Sequence, residues 1–314
     1  MNMNKENQSS AKQFVILGFY APLNLQLPLF MAFLFVYIIA LTANLGILLV
    51  IFMGSLLHTP MYFFLSNLSC LDICLVSTTG PTILEALALH GAHISFSGCM
   101  AQLYIFLAVG VTEHFLLSAM ACDRYMAICN PLRYPLLMNK RACTRLLLGC
   151  WISGFVSVMM PTVFISRLPF CGSRIINHAF CDISPLMQLS CSNTYALEKL
   201  NFITAAILIL GTFFIVVVSY ILIIRTICRI PSLTGRSKTF STCASHFTVV
   251  FIYYGTVIFT YVRPNARSSL DLDKVITVFY CAVTPMLNPL IYSFRNQNFK
   301  NILKKRLGKK KRDS

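Results

Sequence analysis

The chain has 314 residues, 57% of them hydrophobic and only 11% charged, and its mean hydropathy of +0.71 excludes an ordinary water-soluble domain. A net charge of +16 would suit a nucleic-acid binder, but the basic residues sit between long apolar runs instead of covering a polar surface, which excludes that class.

About 20 apolar residues cross the hydrocarbon of a bilayer as a helix, and seven such runs follow one another along the chain. They extend from Pro28 to Phe52, Met61 to Leu89, Gly98 to Met126, Ala142 to Ser166, Leu200 to Ile227, Thr239 to Val262 and Asp273 to Phe294. None alternates as a barrel strand does, so helices are the remaining way to satisfy every backbone group in lipid. The expected fold is all-α, an integral membrane bundle of seven transmembrane helices. An outer segment 1–27, the bundle 28–294 and a basic tail 295–314 make up the chain. The first run is too long, and too far from residue 1, to be the apolar core of a cleaved signal peptide.

Orientation follows from the basic residues. The amino-terminal side holds eight lysines and arginines, among them Lys5, Arg167, Arg174 and Lys274, whereas the other side holds eighteen, from Arg124 and Arg133 to Lys311 and Arg312. Basic loops stay in the cytoplasm, which places the amino terminus outside. Four of the thirteen cysteines, Cys99, Cys171, Cys181 and Cys191, then fall on the oxidising outer face. Three pairings are open to them, and spacing does not choose. The sequon Asn7-Gln8-Ser9 lies on the same side and makes Asn7 a glycan acceptor, whereas Asn67-Leu68-Ser69 is inside a run and out of reach.

Ionisable groups within a bilayer are costly enough to be functional hypotheses by default. Asp72 is expected roughly 18 Å above the inner end of the second helix, and Glu113 roughly 17 Å above Arg124 in the third, so both carboxyls share one depth. Such neighbours repel unless they share a proton or a cation such as sodium. Asn44 and Asn288 fall somewhat nearer the cytoplasm and would complete a polar cluster between helices one, two, three and seven. The alternative is a hydrogen-bond network that only holds helices together, which does not require two acids.

Above this level Phe106, Gly110 and Glu113 share one stripe of the third helix, with Leu107, Val111 and His114 on the next. Opposite stand Thr204 and Leu208 of the fifth helix, Val257, Ile258 and Tyr261 of the sixth and Val278 of the seventh. A cavity between helices 3, 5, 6 and 7 with these walls would hold a small, mostly apolar molecule oriented by one or two hydroxyl contacts. Beyond Phe294, the residues Phe299, Ile302, Leu303 and Leu307 recur at helical spacing among lysines and arginines, the pattern of a short amphipathic helix on the anionic inner leaflet.

Four strings, in order, carry a resemblance that covers essentially the whole chain. They are PMYFFLSNLSCLD from Pro60 to Asp72, MACDRYMAICNPLRYP from Met120 to Pro135, KTFSTCASH from Lys238 to His246 and PMLNPLIYSFRN from Pro285 to Asn296. Together they resemble the olfactory (odorant) receptors, a branch of the rhodopsin-like G-protein-coupled receptors. Tyr253-Tyr254-Gly255 stands where other rhodopsin-like receptors carry a Cys-Trp-x-Pro element, which sharpens the resemblance to the olfactory branch.

The resemblance implies a receptor in the plasma membrane of sensory cilia that binds small volatiles and activates a stimulatory heterotrimeric G protein through cyclic AMP. It implies that Tyr254 is the ligand-sensing switch, that Tyr261 lines the pocket, and that Cys99 pairs with Cys181 and Cys171 with Cys191. It associates Asp72 and Glu113 with sodium, and it gives Asp123, Arg124, Tyr125, Tyr220 and Lys238 to G-protein coupling. At rest Arg124 would pair with Asp123 and touch the Lys238 to His246 segment. Cys122, Ala43 and Thr239 depart from the family's usual tyrosine, glycine and alanine, and none of these changes removes a charge or a switch residue.

Two other classes fit less well. A transporter using Asp72 and Glu113 would show an internal repeat or broken half-helices, which the seven runs lack. An enzyme would show a phosphate-binding glycine loop, a His-Glu-x-x-His or a Gly-x-Ser-x-Gly pattern, and none occurs.

Overall fold

A computed structural model describes residues 13–19, 22–54, 59–171, 173–261 and 270–295, without the side chains of 23, 238, 241, 242, 245, 270–273 and 292–295. Asn7 and the tail beyond residue 295 lie outside the described residues.

The first three spans are α1 (Leu23–Met53), α2 (Pro60–Leu89) and α3 (Phe96–Cys129). A short turn, α4 (Tyr134–Leu137), leads to the fourth span, α5 (Lys140–Ser166). The outer loop carries α6 (Ile183–Gln188), and the fifth and sixth spans are α7 (Tyr195–Cys228) and α8 (Leu233–Tyr261). The seventh is composite: α9 (Leu270–Val278), a π-helical turn at Phe279–Val283, and α10 (Thr284–Arg295). Six of these units have the length and apolarity to cross a membrane, and the sixth span contributes a shorter apolar stretch, His246–Tyr261, above a polar inner end. The spans lie where hydropathy places them, but α1 begins at Leu23 and α8 at Leu233, ahead of their apolar runs. Helical hydrogen bonding continues through interfacial residues that hydropathy does not count.

Local chemistry explains several boundaries. Pro60 opens α2 at a position where a missing N–H costs nothing. Ser95 caps α3 by accepting from the Gly98 amide at 3.1 Å, and Asn139 caps α5 by accepting from Ala142 at 3.0 Å.

Lipid and protein divide the apolar side chains between them. Phe52 is 85% exposed and Phe251 71%, because hydrocarbon, not protein, is their solvent. The third span is the hub, packed against the second, fourth, fifth and sixth, while α10 closes the ring against α1 and α8. Small residues permit the closest approaches: a side chain at Gly154 would overlap Thr112 of α3, and one at Gly80 would overlap the ring of Tyr37.

An all-α reading leaves out one feature. On the outer face β1 (Gln13–Ile16) pairs antiparallel with β2 (Ala92–Ser95) and parallel with β3 (Ile175–Ile176), giving the order β2-β1-β3. Phe14 and Ile16 of the central strand are buried beside Leu103, Ile176 and Cys181. Part of the outer segment is thereby built into the extracellular cap. Strands this short have too few residues for their alternation to be legible in sequence.

Candidate functional site

Three layers of polar contacts run down the bundle. At the outer layer disulfides join Cys99 to Cys181 and Cys171 to Cys191. Gln102 adds a second clamp: its amide nitrogen donates to the Thr78 carbonyl and the Thr82 hydroxyl, both at 2.8 Å, while its oxygen accepts from the Cys181 amide at 3.0 Å. The outer loop is thereby held to α2 and α3. Tyr261 donates to Asp182 at 3.4 Å and Lys274 donates to Asn177 at 2.5 Å, which carry the same loop to the sixth and seventh spans.

The middle layer holds most of the residues expected to line a cavity. Phe106, His114, Tyr254 and Val257 are buried, and Leu107, Ile258, Tyr261 and Val278 pack partly buried against the same core. Gly110, Val111 and Leu208 are half-buried. Phe106 sits 4.8 Å from Phe180 and 6.4 Å from Tyr280 between ring centroids. Thr204 lies apart from this group as one wall of a cavity of about 170 Å³ between α5 and α7, with Ser157, Pro161 and Asn201.

Two tyrosines of α8 reach across to α3 at this level. The Tyr253 hydroxyl lies 2.8 Å from the Gly110 carbonyl oxygen and 2.7 Å from His114 Nδ1, and the Tyr254 hydroxyl donates to the His114 carbonyl at 3.3 Å. Phe213 of α7 packs on Tyr254 with centroids 5.2 Å apart. Glu113 accepts from Tyr280 at 3.3 Å, and Tyr280 belongs to the π-helical turn. A π turn inserts an extra residue and rotates the side chains after it, a common device at functional positions.

Below it, Asn288 donates to both carboxyl oxygens of Asp72 at 3.1 Å, and Asn44 donates to the Pro285 carbonyl at 2.8 Å. Asp72 and Glu113 lie within electrostatic reach of each other. Among the described residues, Glu113 Oε1 and Asn44 Oδ1 are buried acceptors without a hydrogen-bond partner. Two acids, with one unpartnered oxygen on Glu113 and another on the Asn44 amide, form a donor set of the hard, oxygen-only kind that suits a small cation, or a proton shared by the acids.

At the inner layer Arg124 is 3.6 Å from Asp123, which also accepts from Tyr134 at 2.8 Å. Tyr134, in the loop, has its phenol pushed well above the ordinary range by burial first and by Asp123 second, so it stays a donor. Tyr220 of α7 bonds His246 of α8 at 2.5 Å, and Arg124 lies within electrostatic reach of Cys243 and His246. Tyr125 is half-buried beside this group, and the side chain of Lys238 is outside the described residues.

Sequence reading passes over Gln102, Tyr280 and Asp182, and it names Tyr253 only within the Tyr253-Tyr254-Gly255 element, without a role of its own. Gln102 did carry a signal, an amide within an apolar run. Tyr280 carried none, because the π turn that aims it has no local signature.

A ring of seven apolar helices, with two buried acids at mid-depth and an Asp-Arg pair at its basic end, is a seven-helix membrane protein of receptor type. A family model described as "Olfactory receptor" matches residues 33–310. Olfactory receptor 11L1 of Homo sapiens is 48% identical over 308 residues, covering 98% of this chain and 96% of that protein. Olfactory receptor 6F1 of Homo sapiens is 47% identical over 98% of this chain and 100% of its own length, and olfactory receptor 287 of Rattus norvegicus 47% over 96% of each. The chain belongs to the olfactory receptor family: it is a multi-pass membrane protein of the G-protein-coupled class and not an enzyme.

Proposed function

We propose that this receptor binds small, mostly apolar volatiles between helices 3, 5, 6 and 7 and activates a stimulatory heterotrimeric G protein of the olfactory type, raising cyclic AMP in sensory cilia. The observation that carries the reading is the clasp of Tyr253 and Tyr254 on Gly110 and His114, which ties the sixth span to the third at the wall of the expected cavity, on the outer side of Arg124. A ligand that prefers the unclasped arrangement shifts the population by its differential affinity for the two states. The sixth span then swings outward, Tyr220 leaves His246, and Arg124 leaves Asp123 to face the G protein, with Tyr125 and Lys238 at the edge of the cleft. Asp72, Glu113, Asn44 and Asn288 hold sodium or a proton in the resting state. The basic residues of the tail attract the anionic inner leaflet, and Asn7 carries a glycan.

Replacing Arg124 by Ala tests the coupling. Surface expression is expected to persist while odorant-evoked cyclic AMP is lost, and an undiminished response would remove Arg124 from the mechanism. Flux of a substrate in sealed vesicles without G protein would instead favour a transporter.

A further inference from the structure

We infer that the ligands of this receptor carry a hydrogen-bond donor, so that alcohols and phenols are preferred to their ethers, and that His114 Nε2 is the atom that reads the donor. This rests on the proposed binding of volatiles among helices 3, 5, 6 and 7 and adds a ligand class to it.

The proton positions follow from the neighbours. His114 Nδ1 lies 2.6 Å from the Gly110 carbonyl oxygen, which can only accept, so Nδ1 carries the hydrogen. The Tyr253 oxygen, 2.7 Å from Nδ1, shares that hydrogen, while its own hydroxyl donates to Gly110 at 2.8 Å. A neutral imidazole has one N–H, so Nε2 is left as a bare lone pair. A doubly protonated ring would instead place a charge and an unpaired N–H in the bilayer interior, the costlier arrangement.

Nε2 is buried and has no partner among the described residues. The rest of the candidate wall offers it nothing. Phe106, Leu107, Val111, Leu208, Val257, Ile258 and Val278 are apolar, and the hydroxyls of Tyr254 and Tyr261 are engaged by the His114 carbonyl and by Asp182. Rings of Tyr253 and Tyr254 stand edge-on to His114 at 5.0 and 5.7 Å, which holds the imidazole in place between them. A buried acceptor without a donor is unfavourable, and a ligand O–H removes the deficit. An ether or ketone brings only lone pairs and meets Nε2 with repulsion.

The test uses the full-length receptor in cells with its G protein, a surface-expression control and a cyclic AMP readout. Hexanol, octanol, phenylethanol and ethylphenol are each applied beside their methyl ethers, together with a broad panel of other volatiles. Active hydroxyl compounds are expected to exceed their ethers in potency by about tenfold, the worth of one buried hydrogen bond. In His114→Phe that ratio collapses towards one, while His114→Gln, which keeps an acceptor and guards against a folding failure of the first variant, retains part of it. Equal potency within pairs, ethers stronger than alcohols, a preference that survives in His114→Phe, or activation only by volatiles lacking a donor each overturns the inference while leaving the receptor reading intact. Silence of the surface-expressed receptor to every volatile overturns both.

Discussion

The hydroxyl of Tyr253 lies 2.8 Å from the carbonyl oxygen of Gly110, a bond between the sixth and third spans across 143 residues of sequence. Because the carbonyl belongs to the backbone, no side-chain change at position 110 removes it. The sixth span is thereby held to the third at mid-depth in the bundle.

Removing that bond with Tyr253→Phe, which keeps the ring, is expected to raise basal signalling. One hydrogen bond is worth about 1 kcal/mol, or roughly a fivefold shift between closed and open states. Basal cyclic AMP normalised to surface receptor measures it. An unchanged or lowered basal level would show that the clasp does not restrain the closed state.

Asn288 donates to both oxygens of Asp72 at 3.1 Å, so each residue depends on the other. Asp72→Asn and Asn288→Asp alone are each expected to lower the maximal response. The double exchange restores the donor–carboxylate pairing and should recover part of it, with a coupling of about 0.5 to 3 kcal/mol in the double-mutant cycle. Strict additivity would separate the two residues functionally.

The disulfides close loops of different size, with sequence separations of 82 for Cys99–Cys181 and 20 for Cys171–Cys191. Chain-entropy arguments assign about 4 to 5 kcal/mol to the longer loop and about 3 to the shorter. Cys181→Ser is therefore expected to reduce surface expression more than Cys191→Ser, by flow cytometry of an amino-terminal tag. The reverse order would contradict the ranking.

Two glycines give a steric contrast. Gly154 faces Thr112 with no room for a side chain, whereas nothing lies within 4 Å of a side chain's first carbon at Gly211. Gly154→Val should cost about 1 to 3 kcal/mol through forced separation of α3 and α5. Gly211→Ala should stabilise its helix by up to about 1 kcal/mol. Thermal unfolding of detergent-solubilised receptor reads both, and equal behaviour of the two variants would refute this packing account.

Much of this molecule is written locally. Apolar runs set the seven spans, because about 20 consecutive apolar residues have one stable place in a bilayer. Lys and Arg set the orientation, since they resist transfer across it. The family strings set the class, and the depth of Asp72 and Glu113 follows from the fixed rise of a helix. Each of these properties depends on residues close together in the chain, or on a regular period.

The tertiary structure decided what depends on residues meeting across the bundle. It put Tyr280 of a π turn against Glu113, Asn288 against Asp72, and Tyr253 against Gly110 and His114. It gave the segment around Phe14 a place in an outer sheet, and it made Gln102 a clamp between two helices and a loop. Helical period tells which residues share a face, but not which neighbour that face meets or how far each helix turns about its axis. Packing of whole helices fixes those rotations, and with them which edge of the His114 ring faces Gly110 and Tyr253 and which is left without a partner among the described residues.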